Sequence, residues 1–183
     1  MKFPSCVVFI LLALTSSQHA QSSSSLLEMK WNVNAEERTG LVHLPVLDTG
    51  LQAPLVFVWH GHGGSSRGAA RKFHIHQHSQ TAIVVYPQCL PTPSRLIDPE
   101  GLRSGWQSAG DAKTNRDIRF FDAMLEDLVG RGIVDPELVF STGHSNGGGF
   151  TYNLLVERGK RLAAIAPSSS ASVRLRNRAF PKI

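Results

Sequence analysis

The sequence predicts an α/β chain built on a mostly parallel sheet with helices on both faces. Two continuously apolar runs, Leu55-Val56-Phe57-Val58-Trp59 and Ala82-Ile83-Val84-Val85-Tyr86, read as strands buried on both sides. A clear amphipathic helix separates the second of these from further apolar strands, and alternation of the two element types implies parallel crossovers. The composition agrees. With 183 residues, 42% of them hydrophobic and 18% charged, the chain suits one globular domain and lies far from a disordered composition.

In chain order, Gly40-Leu41-Val42-His43-Leu44-Pro45 alternates as a strand closed by proline. Strand 55–59 runs straight into the glycine-rich loop His60-Gly61-His62-Gly63-Gly64-Ser65, and a short helix is expected over about 66–78. Strand 82–86 stops at Pro87, and residues 87–113 form a long loop rich in Pro, Gly and Ser. A helix is expected over 114–129, with Thr114 as its N-cap. Its stripe of Ile118, Phe121, Leu125 and Leu128 has helical spacing. Then follow strand 138–142, helix 145–157 and strand 162–166, the last again stopped by proline. The strand at 162–166, with no charge in Leu-Ala-Ala-Ile-Ala, is expected to be an exposed, association-prone sheet edge.

The N-terminus reads as an export signal. Lys2 precedes the apolar run Val7–Leu14, which is too short to span a bilayer, and a small, polar stretch follows. The expected organisation is a signal peptide at 1–20, a linker at 21–34, a domain at 35–168 and a basic tail at 169–183. The chain is accordingly expected to be secreted, with no membrane partner once the signal is removed. The formal net charge of +5 is not a nucleic-acid signature. Lys2, Arg174, Arg176, Arg178 and Lys182 lie at the ends, and without them 14 basic residues balance 14 acidic ones. Of the two cysteines, Cys6 lies in the signal, leaving Cys89 alone. The alternating His74, His76 and His78 are a weak metal hint and read better as solvated residues near a helix end; no metal or organic cofactor is expected.

The chemistry is concentrated at Gly143-His144-Ser145-Asn146-Gly147. This is Gly-x-Ser-x-Gly, set after an apolar strand and before a helix. In that position the serine occupies a sharp turn, and the flanking glycines keep Cβ atoms out of it, so Ser145 is the candidate nucleophile. The His60–Gly64 loop after a buried strand can supply an oxyanion-hole donor. The expected donors are the backbone N–H groups of His62 and of Asn146.

These motifs resemble the secreted polyhydroxybutyrate depolymerase and feruloyl esterase family of α/β-hydrolases. The matching pieces are Arg38-Thr39 with Leu41–Pro45, the His60 loop, Val84–Pro87, Trp106, Asp117–Phe121 and Gly143–Gly148, spanning about 35–168. The resemblance implies a cofactor-free serine esterase that acts outside the cell on ester-bearing polymers or their fragments. Trp106, His60 and His144 are candidate substrate-cleft residues. Trp106 reads equally as a packed loop anchor, and His60 as a brace for its loop.

One departure stands out. In this fold the triad runs Ser, then Asp or Glu, then His. The 38 residues after Ser145 contain no histidine, no aspartate and the single acid Glu157. The expectation is therefore a family member lacking the C-terminal strands and impaired in catalysis. The alternatives are a catalytically inactive ester- or polysaccharide-binding relative and a non-functional gene-model fragment. Asp111 and Asp117 precede the serine, and nothing in the sequence sets them behind a catalytic base.

Overall fold

A computed structural model describes residues 25–48, 50–79, 81–95, 97–107 and 113–171. The expected signal peptide, the tail beyond residue 171 and Asp111 lie outside them.

The first element corrects the expected linker. Leu27–Val33 is a strand, β1, paired antiparallel with β2, Glu36–His43. The hairpin turns on Asn34 and Ala35, whose φ values are 52° and 64°. A two-residue turn of this kind needs positive φ at both positions. Asparagine suits the first, but alanine in place of glycine hides the second, so the hairpin was not legible.

The remaining strands are β3 (Ala53–Trp59), β4 (Ile83–Pro87), β5 (Val134–His144) and β6 (Ala164–Ser168). They form one sheet in the order β1-β2-β4-β3-β5-β6. β2 and β4 are antiparallel, whereas β4, β3, β5 and β6 run parallel. The two continuously apolar strands, β3 and β4, lie inside this parallel part and are its most buried members, as their composition requires.

One face of the sheet is covered by helices α1 (Ser66–Phe73) and α2 (Ile75–His78). Ala69 and Ala70 pack there with Val58, Val84 and Tyr86. The other face takes α3 (Arg116–Gly130) and α4 (Asn146–Arg158). Ile118, Phe121, Leu125 and Leu128 of α3 join Phe57, Trp59 and Phe150 in the larger core. The cap of α3 is Asn115 rather than Thr114, its Oδ1 accepting from the Asp117 and Ile118 N–H groups at 2.9 and 3.1 Å.

Three local expectations are corrected. The helix expected over 66–78 breaks at His74, which adopts φ 53° and separates α1 from α2. His74 is thus the cap between the two helices, and His76 and His78 lie in the short α2. His76 is buried, its Nδ1 2.9 Å from the Tyr86 hydroxyl, while His74 and His78 are exposed. Burial pushes the Tyr86 hydroxyl up to about 12, so it stays protonated, and its oxygen accepts from the His76 N–H at 3.3 Å. Finally, Pro167 lies inside β6 instead of ending it, opposite Gly143. A strand at the edge of a sheet tolerates the missing donor. Among the described residues no helix is long and apolar enough to cross a membrane.

Candidate active site

β5 ends at His144 and α4 begins at Asn146, so a single residue, Ser145, makes the turn between strand and helix. Its backbone has φ 55° and ψ −117°, a left-handed conformation that a side chain rarely adopts. Two hydrogen bonds over-determine it: the Ser145 N–H donates to the Ser168 carbonyl and the Gly149 N–H to the Ser145 carbonyl, both at 2.9 Å. Strain held this way is a mark of functional turns. The flanking glycines are steric necessities. A Cβ on Gly143 would stand 2.6 Å from the Gly147 carbonyl, and one on Gly147 would meet the carbonyls of Trp59 and His60. Ser145 itself is exposed.

The glycine-rich loop lies beside this turn. A Cβ built on Gly61 would be 3.6 Å from Ser145 Cβ and 3.5 Å from His144 Nδ1. The loop therefore passes within contact of the serine, with His144 half-buried against it. The Asn146 N–H belongs to the first turn of α4, where no intrahelical acceptor exists. An anion at Ser145 would also face the positive end of that helix.

His60 and Trp106 are not cleft residues. His60 is 3% exposed, its Nδ1 2.8 Å from the Gly61 carbonyl and its Nε2 3.3 Å from Cys89 Sγ. Burial pushes the Cys89 thiol up to about 12, so it remains a thiol that donates to Nε2, and Nδ1 carries the imidazole proton. Burial also lowers the pKa of His60. The ring is a neutral brace under the loop. Trp106 is 1% exposed, stacked on Phe150 and edge-on to Trp59. Its Nε1–H donates to the His60 carbonyl at 2.8 Å. Of the two sequence readings of Trp106, the structure selects the packed anchor.

The Asn146 side chain makes contacts that the sequence did not reveal. Its side-chain amide accepts from the Trp106 N–H at 2.6 Å and donates to the Trp106 carbonyl at 3.0 Å. The residue after Ser145 thereby pins the long segment between β4 and α3 onto the turn. Asp117 is fully buried in an ion pair with Arg38 at 2.8 Å and accepts from the Gln107 N–H at 2.9 Å. It braces the same segment from below, remote in role from any base. Asp98 was also missed: its carboxylate lies 2.9 Å from His62 Nε2. The turn sequence Asp98-Pro99-Glu100-Gly101 was the available signal, though it gave the turn without the partner.

Among the described residues no hydrogen bond reaches Ser145 Oγ, from histidine or any other group. Nor do any His, Cys, Asp or Glu gather in a metal-holding group of three or more.

The sheet, the strand-to-helix turn at Ser145 and the glycine-rich loop together form an α/β-hydrolase-type fold. The chain is 28% identical over 144 residues to feruloyl esterase D of Neurospora crassa, covering 78% of this chain and 48% of the relative. It is 35% identical over 79 residues to feruloyl esterase C of Emericella nidulans, covering 43% of this chain and 27% of that one. A solved ferulic acid esterase superposes with a TM-score of 0.61 at 16% identity, over 77% of this chain and 56% of the other. No family model matches the chain. In sequence the chain resembles feruloyl esterases, and in fold it resembles the α/β-hydrolases. It spans about half or less of the length of these curated relatives.

Proposed function

We propose that this chain carries the nucleophile-bearing part of a serine carboxylic-ester hydrolase, exported from the cell and directed at ester-bearing polymers or oligomers. Feruloyl-polysaccharide esters are the favoured substrates, in line with the names of its relatives; polyhydroxybutyrate-type polyesters are the other class that the sequence motifs suggest. The observation that carries the reading is the exposed Ser145 held at φ 55° between two glycines that tolerate no side chain.

In this reading Ser145 Oγ attacks the ester carbonyl carbon and the carbonyl oxygen becomes an oxyanion. The His62 and Asn146 N–H groups stabilise that charge, each such donor being worth roughly 10²–10³ in rate. Collapse expels the alcohol and leaves an acyl-serine, which water hydrolyses. The Oγ proton needs an acceptor, and a serine without one is a weak nucleophile at neutral pH.

That point favours a second reading for this particular chain. No hydrogen bond from a base reaches Ser145 among the described residues. A binding-only relative would grip the same ester without cleaving it.

Hydrolysis of methyl ferulate, p-nitrophenyl acetate and a hydroxybutyrate oligomer, with Ser145→Ala in parallel, separates the readings. Ser145-dependent release of ferulate supports the esterase. Saturable binding of a feruloylated oligosaccharide without release supports the binding-only relative. For export, protein recovered from the medium should begin between Ser16 and Gln21; intact Met1 confined to the cytosol would contradict it.

A further inference from the structure

The glycine-rich loop has little stiffness of its own. Gly61, Gly63 and Gly64 make up most of it, and Gly63 adopts φ 70°. An oxyanion donor must nonetheless be held to within roughly 0.5 Å of its working position. The rigidity has to come from outside the loop.

It comes from residues 98–106. The Gly63 N–H donates to the Ser104 carbonyl at 2.7 Å, and Ser104 Oγ donates to the Gly64 carbonyl at 2.6 Å. A third tie differs in kind, because it holds the side chain of His62, whose own backbone N–H is the donor proposed above. His62 Nε2 is 2.9 Å from Asp98 Oδ2, and the two side chains are only 3% and 8% exposed. The opposite edge of the ring lies on Gly105, where a Cβ would come within 2.9 Å of Cε1 and closer still to Nδ1. With one nitrogen on Asp98 and the other against Gly105, the ring is a wedge rather than a base for Ser145.

Asp98 is itself fixed. It accepts from the Arg103 N–H at 2.9 Å and the Leu102 N–H at 3.2 Å, and Arg103 Nε stands 3.9 Å away. The Arg103 amide first, then the His62 and Leu102 hydrogen bonds and the Arg103 charge, hold its carboxyl below the usual carboxylate range. An ionised Asp98 accepts only, so His62 Nε2 carries the proton.

We infer that Asp98 is a positioning residue for the oxyanion hole: through the buried His62 ring it locks the Gly61–Gly64 loop so that the His62 N–H faces Ser145. The inference rests on the esterase reading for the role of that N–H, but the clamp itself can be tested without turnover.

The test is amide hydrogen exchange on the full 183-residue chain, combined with the rate at which a fluorophosphonate labels Ser145. In Asp98→Ala the Gly63 and Gly64 amides should exchange roughly tenfold to a hundredfold faster, the loss expected for one charge-assisted hydrogen bond, while the amides of β3 keep their protection. Labelling of Ser145 should slow in step. Asp98→Asn, which keeps an acceptor, should restore both to within a few-fold. Should Asp98→Ala not fold, His62→Phe keeps the ring, removes the bond and should give the same pattern. Unchanged exchange at Gly63 and Gly64 overturns the inference. So does equal loosening of loop and β3, which would make Asp98 merely structural, and so does a loosened loop with an unaltered labelling rate. Labelling that survives Ser145→Ala sinks the esterase reading instead, and the exchange measurement still decides the clamp.

Discussion

Asn146 brackets Trp106: one side-chain amide receives the Trp106 N–H at 2.6 Å and returns a hydrogen bond to its carbonyl at 3.0 Å. The residue that begins α4 thus fixes a segment 40 positions earlier, and that segment holds the glycine-rich loop. The Ser145 turn, the loop and the buried anchor form one unit.

The bracket predicts the effect of Asn146→Ala. Both Trp106 backbone groups lose their partner, and each buried unsatisfied group costs about 1–3 kcal/mol. Urea denaturation should show a loss in that range or above it. A change below about 0.5 kcal/mol, the level of an ordinary surface substitution, would mean that the two hydrogen bonds carry no weight.

The strain at Ser145 makes a prediction of opposite sign. A non-glycine residue in such a region costs about 1–3 kcal/mol. Ser145→Gly should therefore be more stable than both the natural protein and Ser145→Ala, while being equally unreactive. A melting temperature for Ser145→Gly at or below that of Ser145→Ala would show that the turn is relaxed.

Acid should destabilise the fold through its buried histidines. Burial lowers the pKa of His43 from the ordinary 6.5. The unfolded state then takes up the proton first, so the contribution is nil at high pH and stability falls as pH drops below about 6.5. His43 Nδ1 is buried without a hydrogen-bond partner, so His43→Phe deprives no partner of its bond. Chemical denaturation between pH 7.5 and 5 should show a shallower decline in His43→Phe than in the natural protein. Parallel curves would assign the decline to other groups, His76 and His60 first among them.

β6 predicts association. It pairs with β5 on one side and is the last strand of the described sheet, with Ala164 and Ala166 exposed. An uncharged edge of this kind is a template for another strand. Size-exclusion chromatography should show the natural chain self-associating and Ala164→Lys/Ala166→Lys shifting it toward monomer. A sharp monomer peak and a cooperative melt in the unsubstituted chain would contradict this.

The legible parts of the molecule were those where one local signal decides the outcome. Uninterrupted apolar runs gave β3 and β4, and the spacing of Ile118, Phe121, Leu125 and Leu128 gave the buried face of α3. Glycines at 143 and 147 gave the turn, because the crowding there admits nothing larger. What stayed hidden depends on partners distant in sequence. Asp98 and His62 are 36 residues apart, and Arg38 and Asp117 are 79 apart. No periodicity records such pairs. Trp106 shows the same limit: its type fitted a cleft or an anchor, and only the packing of Phe150 and Trp59 around it decides.

The central claim is that Ser145 is a nucleophile presented by a strained turn. Its most direct test is incubation of the purified chain with a fluorophosphonate, followed by intact mass and peptide mapping. The account predicts one adduct per chain, located on Ser145, lost in Ser145→Ala and accumulating faster than on a free serine peptide. An adduct elsewhere, or labelling of Ser145 no faster than that peptide, would contradict it.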